Sequence, residues 1–169
     1  MTTAHHLGET AHMSPLGRRA RRLGFGDAAS LIGLAVKRGC SHYAAAGRPP
    51  PDCDDKAITN EELVSLLLLG ETAFEPMAIR CAAQLVSKTN PVRLGQIASR
   101  ERTGRILSYI ADAGERHDRE NAGFWQTLRN NLGAQKPIKP GVLPHWSRFV
   151  SDPGVVRGER KAPVWLKAK

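Results

Sequence analysis

The longest apolar-rich stretch of the chain runs over residues 58–88, ITNEELVSLLLLGETAFEPMAIRCAAQLVSK, and its pattern predicts two helices joined by a short turn. Thr59 followed by Glu62 has the spacing of a capping box, in which each side chain satisfies the other's free backbone N–H. Leu63, Val64, Leu66, Leu67, Leu68 and Leu69 follow, with Ser65 alone polar among them. A helix apolar nearly all round is buried on several sides. It is far short of the ~20 apolar residues that span a bilayer, so no membrane insertion is expected. Gly70 is the expected stop, and Thr72, Glu75 and Pro76 repeat the start signals. In the second helix Met77, Ala78, Cys81, Ala82 and Leu85 fall on one face, and Arg80, Gln84, Ser87 and Lys88 on the other.

The same period recurs on both sides. Asp27 can cap a helix reaching about Arg38, where Gly39 ends it. Asn90-Pro91 starts another, with Val92, Leu94, Ile97 and Ala98 as its stripe. The stripe resumes at Ile106, Leu107, Ile110, Ala111 and Ala113, rotated by roughly half a turn. One straight helix cannot bury both stripes against one surface, so a kink or a new helix is expected near Thr103-Gly104. Gly114 and His117 close that element, Asp118 is the expected cap of the next, and Phe124, Trp125, Leu128 and Leu132 carry it to Gly133. Runs with strand-like alternation are not evident. The expectation is an all-α fold: a small irregular bundle of about five or six short helices over 26–133. Within it, residues 40–57 read as a Pro-rich linker with Arg48-Pro49-Pro50-Pro51 as an extended spacer. Residues 1–25 read as a disordered basic head, and 134–169 as an extended basic, aromatic tail.

Composition adds a charge layout. The 169 residues carry a net charge of +9. Residues 58–88 are net acidic, and most of the excess lies in 134–169, which holds eight basic and two acidic side chains. Basic ends on a helical body suit a polyanionic partner. The three cysteines, Cys40, Cys53 and Cys81, are odd in number, which points to a reducing compartment and a cytoplasmic protein. Cys81 sits on an apolar helix face and reads as a small core residue. Cys40, His42 and Cys53 lack the tight pairing of a structural zinc site, and His5, His6 and His12 read as an unstructured terminus. No metal and no cofactor are therefore expected.

The candidate contacts follow from that layout. Arg18, Arg19, Arg21 and Arg22 form a basic cluster suited to phosphates. Paired arginines before an apolar run have the outline of a twin-arginine export signal. Asp27 interrupts the approach to that run, however, and Lys37-Arg38 follow it. Arg100, Arg102 and Arg105 gather at the predicted bend, where free helix N–H groups also favour anions. The 59–88 pair has the outline of a helix-turn-helix, with Arg80 and Gln84 reading bases and Ser87 and Lys88 touching phosphates. Its acidic charge and over-long leucine run argue against it. In the tail, Trp146, Phe149 and Trp165 alternate with Arg148, Arg157, Arg160 and Lys161. That mixture suits an intramolecular strap, a protein groove or nucleic acid. No GxxxxGK[ST], GxSxG or HExxH motif occurs. The expected function is a non-enzymatic accessory protein that binds nucleic acid or a nucleoprotein through its basic ends. The alternative is a helical interaction module whose tail docks on a protein.

Overall fold

The computed structural model describes residues 13–50, 55–69 and 75–169. The expected stops and starts at Gly70 and Thr72, the histidines at 5, 6 and 12, and Cys53 lie outside these residues.

The body is mostly helical, and its helices begin where local chemistry dictates. Asp27 accepts the Ser30 N–H at 2.9 Å and opens α2 (Ala28–Lys37), with α1 (Pro15–Arg22) preceding it. Thr59 and Glu62 complete both halves of their capping box, at 3.1 and 2.9 Å, at the start of α3 (Asn60–Leu67). Glu75 caps α4 (Pro76–Leu85), whose first residue is proline. Asn90 accepts the N–H groups of Val92 and Arg93 at 3.0 and 3.1 Å to open α5 (Pro91–Glu101). The half-turn shift in the apolar stripe resolves as two helices. Arg102 adopts a left-handed φ of 61° to end α5, and α6 (Gly104–His117) starts two residues on. Thr103 does not cap it; its hydroxyl lies 2.8 Å from that of Ser65, and both side chains are buried. The last helix is α7 (Ala122–Leu132).

Two expectations change here. Residues 15–22 form a helix rather than disordered chain: Ser14 caps it, and Leu16, Ala20 and Phe25 are buried. The tail is also not simply extended. Trp146–Arg148 forms one turn of 3-10 helix, and short antiparallel pairs follow: β1 (Val150–Ser151) with β4 (Val164–Trp165), and β2 (Val155–Val156) with β3 (Glu159–Arg160). The β2–β3 hairpin closes through Arg157 and Gly158, both at positive φ (53° and 81°), the mark of a tight two-residue turn. The fold is therefore mainly but not purely α.

The 58–88 pair is the centre of the core. α3 packs on α2, α4 and α5, and α7 packs on α5 and α6. Two glycines permit close approach. A Cβ on Gly114 would stand 2.2 Å from the Trp125 ring, so α6 meets α7 only with glycine there. A Cβ on Gly33 would stand 1.7 Å from the Arg48 carbonyl oxygen; the Pro-rich linker is thus seated directly on α2 at Arg48. Arg48 fixes it further, its N–H donating to Ala29 at 3.0 Å and its guanidinium pairing with Asp27 at 2.7 Å. No described helix is long and apolar enough to cross a membrane.

Candidate nucleic-acid interface

The face of α4 proposed to read bases is not available. Gln84 is 2% exposed, and neither its side-chain oxygen nor its side-chain nitrogen has a protein partner among the described residues. Helical periodicity put Gln84 on a polar face, but the returning tail covers that face: the Ala168 N–H donates to the Gln84 carbonyl at 3.1 Å. Arg80 is half-buried beside Tyr43, whose phenol burial holds above the usual range. Ser87 donates to the Gln84 carbonyl at 2.9 Å. Lys88 donates to the Arg38 carbonyl at 2.9 Å and to the Lys169 carbonyl. The pair forms a core: Gln84 is buried and Arg80 half-buried, so the two side chains expected to read bases do not stand free on the surface, while Ser87 and Lys88 are exposed.

Burial also corrects the aromatic set. Phe149 is 1% and Trp165 3% exposed. Their rings lie 5.6 Å apart, with Trp125 5.0 Å from Trp165 and Tyr109 edge-on to Phe149 at 6.3 Å. Neither faces an external partner. Of the three strap, groove and nucleic-acid readings, these two rings take the strap.

The basic candidates divide by what they already bind. Arg19 pairs with Glu62 at 2.6 Å and donates to the Ala57 carbonyl. Arg18 donates to the Met13 carbonyl at 2.7 Å. Arg100 pairs with the buried Glu101 at 3.2 Å. Arg105 holds the start of the tail, donating to the carbonyls of Lys136 and Pro137 at 2.9 and 2.6 Å. All three arginines at the bend are exposed, but Arg100 and Arg105 are already engaged in these contacts. Arg160 meets Asp152 at 3.3 Å and Lys161 meets Glu159 at 3.4 Å, exposed pairs that hold these cations weakly. Arg21, Arg22, Arg148 and Arg157 are exposed and have no side-chain partner among the described residues. With Met13 and Arg18, the first two line a surface depression on α1.

One constellation was not visible as a unit in the sequence. The His117 ring stacks on Trp146, with centroids 3.7 Å apart and planes within 11°. His145 lies against the same indole at 5.2 Å and 41°. Two elements bring these rings together. Asp118 is buried and accepts the Trp125 indole N–H at 2.9 Å and the Asn121 amide at 3.0 Å, which pins the turn after α6. It thereby binds side chains and does not cap α7 as expected. On the tail side, Tyr109 donates to the Pro144 carbonyl at 2.8 Å, fixing the chain just before His145. Burial lowers the pKa of His117, and the nearby charges of Arg116, His145 and Arg119 lower it further. Arg116 and Arg119 are exposed beside His117, and Arg148, two residues on from Trp146, is exposed as well. The signal in the sequence was a pair of short tetrads, R-H-D-R at 116–119 and H-W-S-R at 145–148, whose meeting depends on the tail's return.

Among the described residues, no three His, Cys, Asp or Glu side chains gather where they could hold a metal ion. Cys40, once weighed as a ligand, is buried and directs its Sγ to the Cys81 carbonyl at 3.6 Å. Compared with protein-family models, with curated proteins and with solved structures, the chain shows no match to any of them.

Proposed function

We propose that the protein is a non-enzymatic accessory factor that binds nucleic acid, alone or within a nucleoprotein complex, in a reducing, cytoplasmic setting. The observation that carries this reading is the His117–Trp146 stack, with exposed Arg116, Arg119 and Arg148 in the same two tetrads. Aromatic faces beside exposed guanidinium groups suit a polyanion that also offers rings. Arg157 on the exposed hairpin, and Arg21 and Arg22 on α1, supply further unpaired cations for phosphates. The contact lies at the tail rather than on α4. Purification with bound partners, before and after nuclease treatment, tests it: nucleic acid should co-purify, and nuclease should release it together with any proteins that depend on it. A nucleic-acid-free preparation whose partners survive nuclease would overturn it.

A second reading has one observation of its own. Val155, Val156 and Val164 are 66%, 41% and 61% exposed on the β-hairpin segment, which suits docking on a protein. That reading predicts that polar substitutions at Val155 and Val156 abolish a nuclease-resistant complex and leave nucleic-acid binding intact.

A further inference from the structure

We infer that Trp146 and His145 form a stacking platform for an unpaired nucleobase, so that the chain prefers single-stranded nucleic acid to duplex. The inference rests on the nucleic-acid reading above and makes it specific. Charge contacts alone do not favour a single strand, because the duplex carries the denser phosphates. A ring platform does, because a base inside a duplex already has both faces stacked.

The geometry supports a platform at this position. Trp146 is half-buried, and one of its neighbours, His117, already stacks on it at near-parallel geometry and holds the indole in place. His145 is exposed, and its ring lies 5.2 Å from the indole and tilted 41° to it rather than stacked on it. Its imidazole is oriented by Ser147, whose hydroxyl lies 2.8 Å from Nδ1. Arg116, Arg119 and Arg148 would meet the phosphates flanking a base held there. By contrast, Trp125 and Trp165, the other two tryptophans of the chain, are 2% and 3% exposed and closed to any ligand.

The full chain is titrated with a labelled oligothymidylate and with its oligodeoxyadenylate duplex at one salt concentration. Anisotropy and tryptophan fluorescence are both followed. The single strand should bind about tenfold or more tightly than the duplex and should quench tryptophan emission. Trp146→Leu keeps an apolar side chain without the ring; it should remove the preference and the quenching, whereas Trp146→Phe should keep most of the preference. Equal wild-type affinity for strand and duplex overturns the platform, as does a Trp146→Leu variant, folded by circular dichroism, that retains the preference. If Trp146→Leu does not fold, the wild-type preference and quenching decide alone. Equal, salt-sensitive binding to both forms overturns only the platform; binding to neither overturns the nucleic-acid reading with it.

Discussion

The Trp165 indole N–H donates to the Ala83 carbonyl of α4 at 3.1 Å, and the Trp165 ring meets Trp125 of α7 at 5.0 Å. A residue close to the last position of the chain thus joins two helices of the core. Trp165→Ala should cost about 3–5 kcal/mol in urea unfolding, the usual range for deleting a buried aromatic ring. Trp165→Phe should cost less, because it keeps most of the ring and loses the hydrogen bond. A loss under about 1 kcal/mol for the alanine variant would mean that the tail is not part of the core.

Gln84 separates the two roles once open to α4. Its amide is buried without a protein partner among the described residues, so replacing it by an apolar residue of like volume relieves a buried polar group. Gln84→Met should leave stability unchanged or raise it by about 1 kcal/mol. It should also leave nucleic-acid affinity unchanged. A lost affinity with retained stability would restore α4 as the reading element.

Asp27 links stability to pH. The Ser30 N–H and the Arg48 guanidinium hold its carboxyl at about 2, below the ordinary 3.8. A depressed folded-state pKa stabilises the fold above the ordinary value, and the contribution is lost as pH falls through about 2. Asp27→Ala should therefore cost about 1 kcal/mol at neutral pH, as for other lost caps. The gap between variant and wild type should narrow as pH drops from 3.8 towards 2. A gap independent of pH over that window would show that the charge of Asp27 does not matter.

Cys40 and Cys81 are free thiols, both 0% exposed. The adjoining Cys40 side chain, together with burial, pushes the Cys81 thiol well above its usual range. Both side chains are closed to solvent, so neither sulfur is open to an external reagent in the native fold. In a Cys53→Ser background, a disulfide-exchange reagent should label no thiol in the native protein and two after denaturation. Rapid native labelling would contradict the buried pair.

What the sequence made legible was local. Thr59 with Glu62, Asp27, and Asn90 before Pro91 each act within one turn, and the phase jump at Thr103-Gly104 is a property of consecutive residues. What it hid depends on distant partners. In α1, Leu16 and Ala20 are the only buried positions of an arginine-rich octet, and the helix is held partly by Arg19 reaching Glu62 of α3. Strands of two residues are too short to alternate visibly. The burial of Gln84 and the meeting of His117 with Trp146 both follow from the tail's return, which no periodicity encodes.

The proposed binding of nucleic acid by Arg116, Arg119 and Arg148 is open to a direct test, the salt dependence of oligonucleotide affinity. A plot of log affinity against log salt should fall steeply for the wild type. Replacing Arg116, Arg119 and Arg148 together by glutamine should reduce the slope by about 2, at ~0.7 per single-strand phosphate released. An affinity indifferent to salt, or a slope unchanged by the triple substitution, would contradict the account.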